Sequence, residues 1–538
     1  MDLSDRGRGM TMVGAILVAA LLILPAQLVP PNFFQDDSYF YLQVASNIVA
    51  GHGSTFHTIT PTNGYHPLWM AFCVLAMAVA GGDKVVGLQI IVGLQALLAL
   101  GAVAYLRKLA SLGSLSFWRP GAALLAAFLL TTAVYGSEAH LNALLIASGT
   151  YYAAVAVLRG APRYEILAGI MLGLAVLARL DNIFFVGWAV LLIPWAAERR
   201  DPRATVMRSI RLGLPALLVV TPYLAYNLVQ FGHMMPISGA VKGTFPRVSW
   251  DMGSLGRVGT VAAWGGLGSV LLSLFPGRRL VRLLLATLGA GVVTHALYVV
   301  LFTEHYTFWP WYYVAGVVNL AVLGAAVLDR VERATSEARW TPTARAAAGL
   351  ATALLVLASS SYGWLKAYPS LGAGSIRPGL TLNQYRWPNE LGRWMDRSLP
   401  AEAGVLAYDY PGSLAFFSTL RILPVDGLIN DFAYDDQIVR QGIAGYMCTH
   451  DIEYYFGPML REARRFGPSQ ELMLRPLGGG LQEVRVSAPL SKRPAGSIVI
   501  DDDDLVVEAK AVVGDPARTP RLAVWRVDAC GPDATPAS

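Results

Sequence analysis

Two adjacent carboxylates, Asp36 and Asp37, stand just after the first long apolar run of the chain, at 11–31. Carboxylates at such a boundary can take a proton from a hydroxyl or hold a divalent cation (Mg, Mn or Ca) through oxygen. The same pair precedes a segment, 38–49, with helical periodicity, and acidic residues there also complement a helix N-terminus. Tyr39, Phe40 and Tyr41 follow at once. Then come Gly51-His-Gly-Ser-Thr-Phe56 and Pro61-Thr-Asn-Gly-Tyr-His-Pro-Leu-Trp69, which put His52, Asn63 and His66 in one loop. Loops of that length in compact proteins are functional or disordered. This one is too aromatic for disorder.

More ionisable residues recur between apolar runs: Glu138 and His140, Arg179 and Asp181, Lys242, and Glu304 with His305. Charges near membrane depth are expensive, so they are candidates for function. Each also has a plainer reading. Arg179 and Asp181 can pair with each other, Glu138 can be a loop charge and His305 a satisfied polar group. The aromatic run 306–313 fits an interfacial belt.

The elements that must position these residues follow from composition. Of 538 residues, 54% are apolar and 14% charged, with a mean hydropathy of +0.47. Soluble domains carry about 25% charged residues. The apolar excess is confined to residues 1–366, which read as a transmembrane module with a long first outer loop at 32–84. Residues 367–538 read as an ordinary globular domain. Runs at 11–31, 85–106, 120–135, 141–158, 164–178, 183–197, 212–231, 259–275, 283–302, 313–328 and 346–366 are candidate spans. The apolar stretch 67–80 is short and fits an interfacial helix. With 67–80 at the surface, the short loops on one side hold 19 Lys and Arg against 5 on the other. The positive-inside rule then sets about eleven spans, the N-terminus in the cytoplasm and residues 367–538 outside. The short arms 164–178 and 183–197 are expected to meet below the outer surface and leave a recess.

The net charge of +6 thus reports topology, and no Lys/Arg block interleaved with aromatics suggests a nucleic-acid partner. The run beginning at Thr11 is read as an uncleaved span, because it is long enough to cross a bilayer and no small-x-small cleavage site follows. Three cysteines occur and no CxxC motif. Cys448 and Cys530 could pair in an oxidising compartment, which sequence leaves open. In the outer region, 404–409 and 420–425 read as buried strands, and 389–397 and 435–448 as helices, giving an α/β domain. No repeat at solenoid or propeller period is present.

Taken in order, these motifs resemble the GT-C superfamily of membrane glycosyltransferases. The resemblance rests on Asp36-Asp37 after span one, the helix with Tyr39 and Tyr41, Gly51–Phe56 and Thr62–Trp69. Ala178-Arg-Leu-Asp-Asn182, Pro236-Ile-Ser-Gly-Ala-Val-Lys242 and Asp426-Gly-Leu-Ile-Asn430 add to it. It spans nearly the whole chain. It implies an inverting transfer of a sugar from a polyprenyl-phosphate carrier to a hydroxyl of a glycan, lipid or protein acceptor at the outer face of the inner (plasma) membrane. It implies Asp36 as general base, with Asp37 orienting it or binding a metal. Lys242 and Arg179 are then the cations for the donor phosphate, and Glu138 and His140 contacts for metal or acceptor. The other loop residues, Tyr39, Tyr41, His52, Asn63, His66, Asp181 and His305, are expected to line the donor and acceptor sites. The Ala/Arg/Gly-rich composition fits a high-GC bacterium with an arabinofuranosyl or mannosyl donor. Two departures matter: Glu304-His-Tyr306 stands where some relatives carry an Arg-Tyr pair, and no WWD-type motif is present, which argues against transfer to asparagine. The rival readings are a transporter or flippase of a lipid-linked saccharide and a non-catalytic cell-wall assembly protein. No inverted repeat supports the first, and the second has no need of the loop carboxylates.

Overall fold

The computed structural model describes residues 34, 36–113, 136–197, 201–303, 308–337, 341, 343, 392–393, 395–408, 410–458, 474–490, 494–508 and 522–530. The expected spans 11–31, 120–135 and 346–366, the boundary at 366/367 and His305 lie outside the described residues.

The segment after the first apolar run is helix α1, Asp36–Val49, with both carboxylates in its first turn. Helix α2, Pro67–Val79, begins on a proline at a position where no backbone donor is needed. Its 13 residues are short for a bilayer, as the sequence led us to expect. Helix α3, Lys84–Leu112, starts where Asp83 accepts from the amides of Val85 and Val86. Helix α4, Ala139–Arg159, ends on left-handed Gly160. Helix α5, Pro162–Ala178, is separated from α6, Ile183–Ala197, by a single tight turn, 180–182. Helix α7, Pro202–Phe231, is capped by Asp201, and the six-residue α8, Ile237–Lys242, follows it. Helices α9, Gly256–Leu274, α10, Arg279–Phe302, and α11, Val314–Glu337, complete the described bundle.

Among the described residues, seven helices are long and apolar enough to cross a membrane, which makes this a multi-pass membrane protein. They fall on seven of the predicted spans. The eighth predicted span within the described residues, 164–178, forms the 17-residue α5. Small residues bring these helices close, as expected in lipid. A Cβ on Gly169 would lie 2.2 Å from the carbonyl oxygen of Leu212, so α5 and α7 touch along their backbones.

The C-terminal region is α/β. Strand β1, Gly404–Ala407, is wholly buried and runs parallel to β2, Arg421–Pro424, and to β3, Ile452–Pro458. Between β1 and β2 lies the short helix α12, Pro411–Phe417, and between β2 and β3 the kinked helical segment α13, Phe432–Thr449. A separate antiparallel sheet holds β4, Leu474–Gly478, β5, Leu481–Ser487, and β6, Pro494–Ile500. The chain then adds β7, Leu505–Glu508, and β8, Leu522–Arg526, antiparallel at the far edge of the first sheet, whose order is β2-β1-β3-β8-β7. Leu406, Tyr434, Ile438, Tyr455 and Trp525 fill its core.

This region packs on the end of the bundle that carries α1 and the loop after it. Thr62 Oγ1 donates to the Asn430 carbonyl at 2.8 Å. Gly64 lies so close to Leu428 that a Cβ would meet its carbonyl oxygen at 2.3 Å. The Asp426–Asn430 motif is thus a docking turn, closed on itself by Asp426 accepting from the Leu428 amide at 3.0 Å.

Cys448 and Cys530 are joined as a disulfide with Cα atoms 5.2 Å apart, which ties α13 to the residues after β8 across 82 positions. Replacing both by serine is expected to cost this region about 2–4 kcal/mol, through the freer unfolded chain. The measurement is a lowered midpoint of Trp525 fluorescence on unfolding, with the helical signal of the bundle retained.

Candidate functional site

Asp36 and Asp37 are neighbours on α1, so their side chains leave the helix about 100° apart and meet different surroundings. Asp36 Oδ1 accepts from the Ser413 amide and hydroxyl, both at 2.8 Å, and Oδ2 accepts from the Gly412 amide at 3.0 Å. Those amides are the unpaired donors at the start of α12, which a carboxylate satisfies well. The approach needs glycine: a Cβ on Gly412 would lie 2.4 Å from the Asp36 carbonyl oxygen. Burial pushes the Asp36 carboxyl up to about 7, against the three donors that pull it down. Asp36 therefore holds the C-terminal region to α1.

Asp37 accepts no hydrogen bond from the described residues. Burial raises its pKa, the positive charge of Lys242 lowers it, and the negative charge of Glu138 raises it again.

Beside Asp37 runs one continuous polar network. Arg179 is 3% exposed. It donates through Nη1 to Glu138 Oε1, and through Nε to Asp181 Oδ2 at 2.9 Å. Tyr41 donates its hydroxyl to Glu138 Oε2 at 3.2 Å and accepts the His66 amide at 3.3 Å. The guanidinium lies 4.0 Å from the centroid of Tyr312, whose hydroxyl accepts from Lys242 Nζ. His295 Nε2 stands 3.5 Å from Asp181 Oδ2.

Each member is held by its own bracket. Glu138 sits in a turn fixed by Trp69 Nε1 donating to the Gly136 carbonyl at 2.7 Å. Gln95 completes that turn, donating to the Ser137 carbonyl at 2.6 Å and accepting the Gly136 amide at 2.8 Å. The Arg179–Asp181 turn is held by Asn182, which donates to the Asn142 side chain at 2.6 Å and the Ala175 carbonyl at 2.7 Å. Asn63 accepts from the Ile237 amide at 3.0 Å and so fixes α8, which ends on Lys242.

Of the residues singled out from sequence, Asp37, Tyr41, His66, Glu138, Arg179, Asp181 and Lys242 come together here. Asp36 stands beside them, turned to α12. Tyr39 faces away and packs its ring 5.3 Å from each of Phe416 and Phe417. His52 is exposed, in a turn made by Gly51 and Gly53 at positive φ. Asn63 is a bracket, and His140 is wholly buried in the first turn of α4. His66 keeps its ring Nδ1 buried without a hydrogen-bond partner. Burial, followed by the charges of Arg179 and Lys242, lowers its pKa well below the usual value, so the ring is neutral. His295 and Tyr312 were not singled out. An ionisable residue inside the apolar run 283–302 was the available signal for the first. Tyr312 was hidden in an aromatic run that reads as a belt.

Glu138 and Asp181 are both engaged by Arg179, and Asp36 by α12. Asp37 is then one oxygen donor where Mg, Mn or Ca asks for several. No group of three or more His, Cys, Asp or Glu gathers among the described residues. The expected pairing of Asp37 with Glu138 as metal ligands has no such cluster behind it.

No protein-family model matches the chain, and no curated protein does. Among solved structures it is similar to ArnT from Cupriavidus metallidurans bound to undecaprenyl phosphate. That similarity has a TM-score of 0.47 and 13% identity and covers 96% of this chain and 98% of that one. The apo state of ArnT gives 0.47 and 14%, over 92% and 98%. Arabinofuranosyltransferase AftD from Mycobacteria gives 0.38 and 16%, over 96% of this chain and 41% of that one. At these scores the functional reading rests on the site itself.

Arg179→Met would leave Glu138 and Asp181 without their cation. Removing one partner from a buried ion pair costs roughly 3–5 kcal/mol. The expected result is a lowered thermal midpoint in detergent-purified protein, with Arg179→Lys restoring little because an ammonium cannot fork between two carboxylates.

Proposed function

We propose that this protein is an inverting glycosyltransferase. It moves a sugar from a polyprenyl-phosphate carrier to a hydroxyl of a cell-envelope glycan, lipid or protein, at the outer face of the inner membrane. The observation that carries the reading is the juxtaposition of Asp37, a carboxylate with no hydrogen bond from the described residues, with the Lys242–Tyr312–Arg179 cation group. The first can receive a proton and the second can hold a phosphate, which are the two charges such a transfer must handle. The donor class comes from the motif resemblance. The outer face comes from the Lys/Arg count.

In this reading the acceptor hydroxyl gives its proton to Asp37 as its oxygen attacks the anomeric carbon from the face opposite the phosphate. The C–O bond to phosphate breaks, and the polyprenyl phosphate leaves with the electron pair. Lys242 meets the charge that develops on the leaving phosphate, and Arg179, locked by two carboxylates, holds Tyr312 and the site's shape. The neutral His66 ring offers an unpartnered nitrogen to a sugar hydroxyl. Asp36 positions α1 through α12, so the base assigned from sequence at Asp36 moves in this proposal to its neighbour. A divalent cation is left as an optional partner of Asp37.

Asp37→Asn is expected to lower kcat by on the order of 10²–10⁴, the usual share of general-base catalysis. The acid limb of the rate should lie above the ordinary carboxylate range, because burial raises the Asp37 pKa. Lys242→Met removes the charge that lowers it, so the limb should move to higher pH. Glu138→Gln removes a charge that raises it, so the limb should move to lower pH. Equal limbs in all three proteins, or full activity in Asp37→Asn, would reject Asp37 as the base.

A further inference from the structure

At the end of the bundle opposite the site, several helix termini meet in a basic crevice. Helix α9 ends at Leu274, α10 begins at Arg279, and Arg330 lies four residues beyond Ala326 on α11. Arg282 Nε donates to the Ser273 carbonyl at 2.7 Å. Arg330 Nη2 donates to the carbonyls of Leu272, at 3.3 Å, and Pro276, at 3.1 Å. Both side chains close over Gly277, where a Cβ would lie 3.2 Å from Arg330 Nη2 and 3.9 Å from Arg282 Cγ. Arg278 reaches across to the Gly113 carbonyl at the end of α3, at 2.7 Å. Arg333, exposed, pairs with Asp329 one turn before it.

The segments 276–282 and 329–333 together carry five arginines against Asp329 and Glu332. Among the described residues, Arg282 and Arg330 donate to the neutral carbonyls of Ser273, Leu272 and Pro276, and Asp329 is the carboxylate that acts on Arg330. Directly beside them, Leu271, Leu274 and Phe275 are 50%, 70% and 61% exposed. Those apolar side chains lie at the end of a helix long and apolar enough to cross a membrane.

We infer that this crevice binds the headgroup phosphate of an anionic phospholipid, with Arg282, Arg330 and Arg333 around the phosphate and Leu271, Leu274 and Phe275 along the acyl chains. Charge complementarity selects the headgroup. Arginine suits it, since its planar fork matches phosphate oxygens. The adjoining exposed apolar side chains select a phospholipid over a free anion. The end of the bundle is the one that the Lys/Arg count makes cytoplasmic, where juxtamembrane arginines meet anionic lipid. The inference rests on the helices being membrane spans and is independent of the glycosyl-transfer reading.

The test is native mass spectrometry of the full chain released from micelles holding equal phosphatidylglycerol and phosphatidylcholine. The wild type should retain phosphatidylglycerol in preference. Arg333→Gln should weaken that retention about fivefold, and Arg282→Gln with Arg333→Gln about 25-fold, the size expected per arginine at an anionic surface. Arg333→Gln removes only bonds within its own helical turn, to the carbonyl and carboxylate of Asp329, and none between helices, so it keeps the test valid if the double variant folds poorly. Equal retention of the two lipids, or wild-type retention in Arg333→Gln, overturns the site. Displacement of phosphatidylglycerol by millimolar inorganic phosphate would show a free-anion site and overturn the lipid assignment.

Discussion

Arg179 is a cation almost sealed from solvent at the break between two membrane helices, and it cannot stay there without two carboxylates. That requirement organises the surroundings. Glu138 has to arrive from the turn before α4, and Asp181 from the next residue but one. Tyr41 on α1 must accompany Glu138, because the second carboxylate oxygen needs a donor. The open face of the guanidinium is covered by Tyr312, and Tyr312 in turn receives Lys242. One buried charge thus draws together segments from five places in the chain and leaves Asp37 at their edge.

The polar side chains of the apolar helices are mostly brackets for this arrangement. Inside a membrane bundle an irregular turn is tolerated only where its backbone groups find partners in the protein. Gln95, Trp69, Asn182 and Asn63 each supply one, to the turns at 136–138 and 179–182 and to the start of α8. Each spends at least one bond on backbone, and Asn182 and Asn63 spend a further one on the side chains of Asn142 and Asn227. The chemistry is left to the residues those turns present.

Periodicity and length made the helices legible, and the alternation of Lys/Arg between loops gave an orientation, because both are local properties of the chain. The site was legible as a set of residues and illegible as a set of roles. Asp36 and Asp37 are equivalent in sequence. What separates them is a pair of amides 376 and 377 positions from Asp36, whose approach depends on Gly412 having no side chain. His52 and His66 sit in equally suggestive motifs, but Gly51 and Gly53 turn the first outward, while Pro67 starts a helix that keeps the second inside. Arg179 and Asp181 do pair, as the plainer reading held. The pairing is part of the site because Glu138 completes it.

The C-terminal region is more than an attachment to the bundle, and the reason is electrostatic. Two carboxylates side by side at low exposure raise each other's cost of ionising, and the charge of Asp37 contributes to the raised Asp36 pKa. The pair can carry charge only if each member has its own compensation. Asp37 has Lys242. Asp36 has the first amides of α12 and the Ser413 hydroxyl, and these belong to the C-terminal region. Undocking α12 would remove these donors but also open Asp36 to water, and because burial is the larger influence its carboxyl would fall back toward the ordinary range and ionise at neutral pH. The start of α1 would lose its anchor at the same moment. Docking of the C-terminal region and the charge state of the carboxylate pair are therefore one equilibrium, set by a contact that lies within one residue of the proposed base.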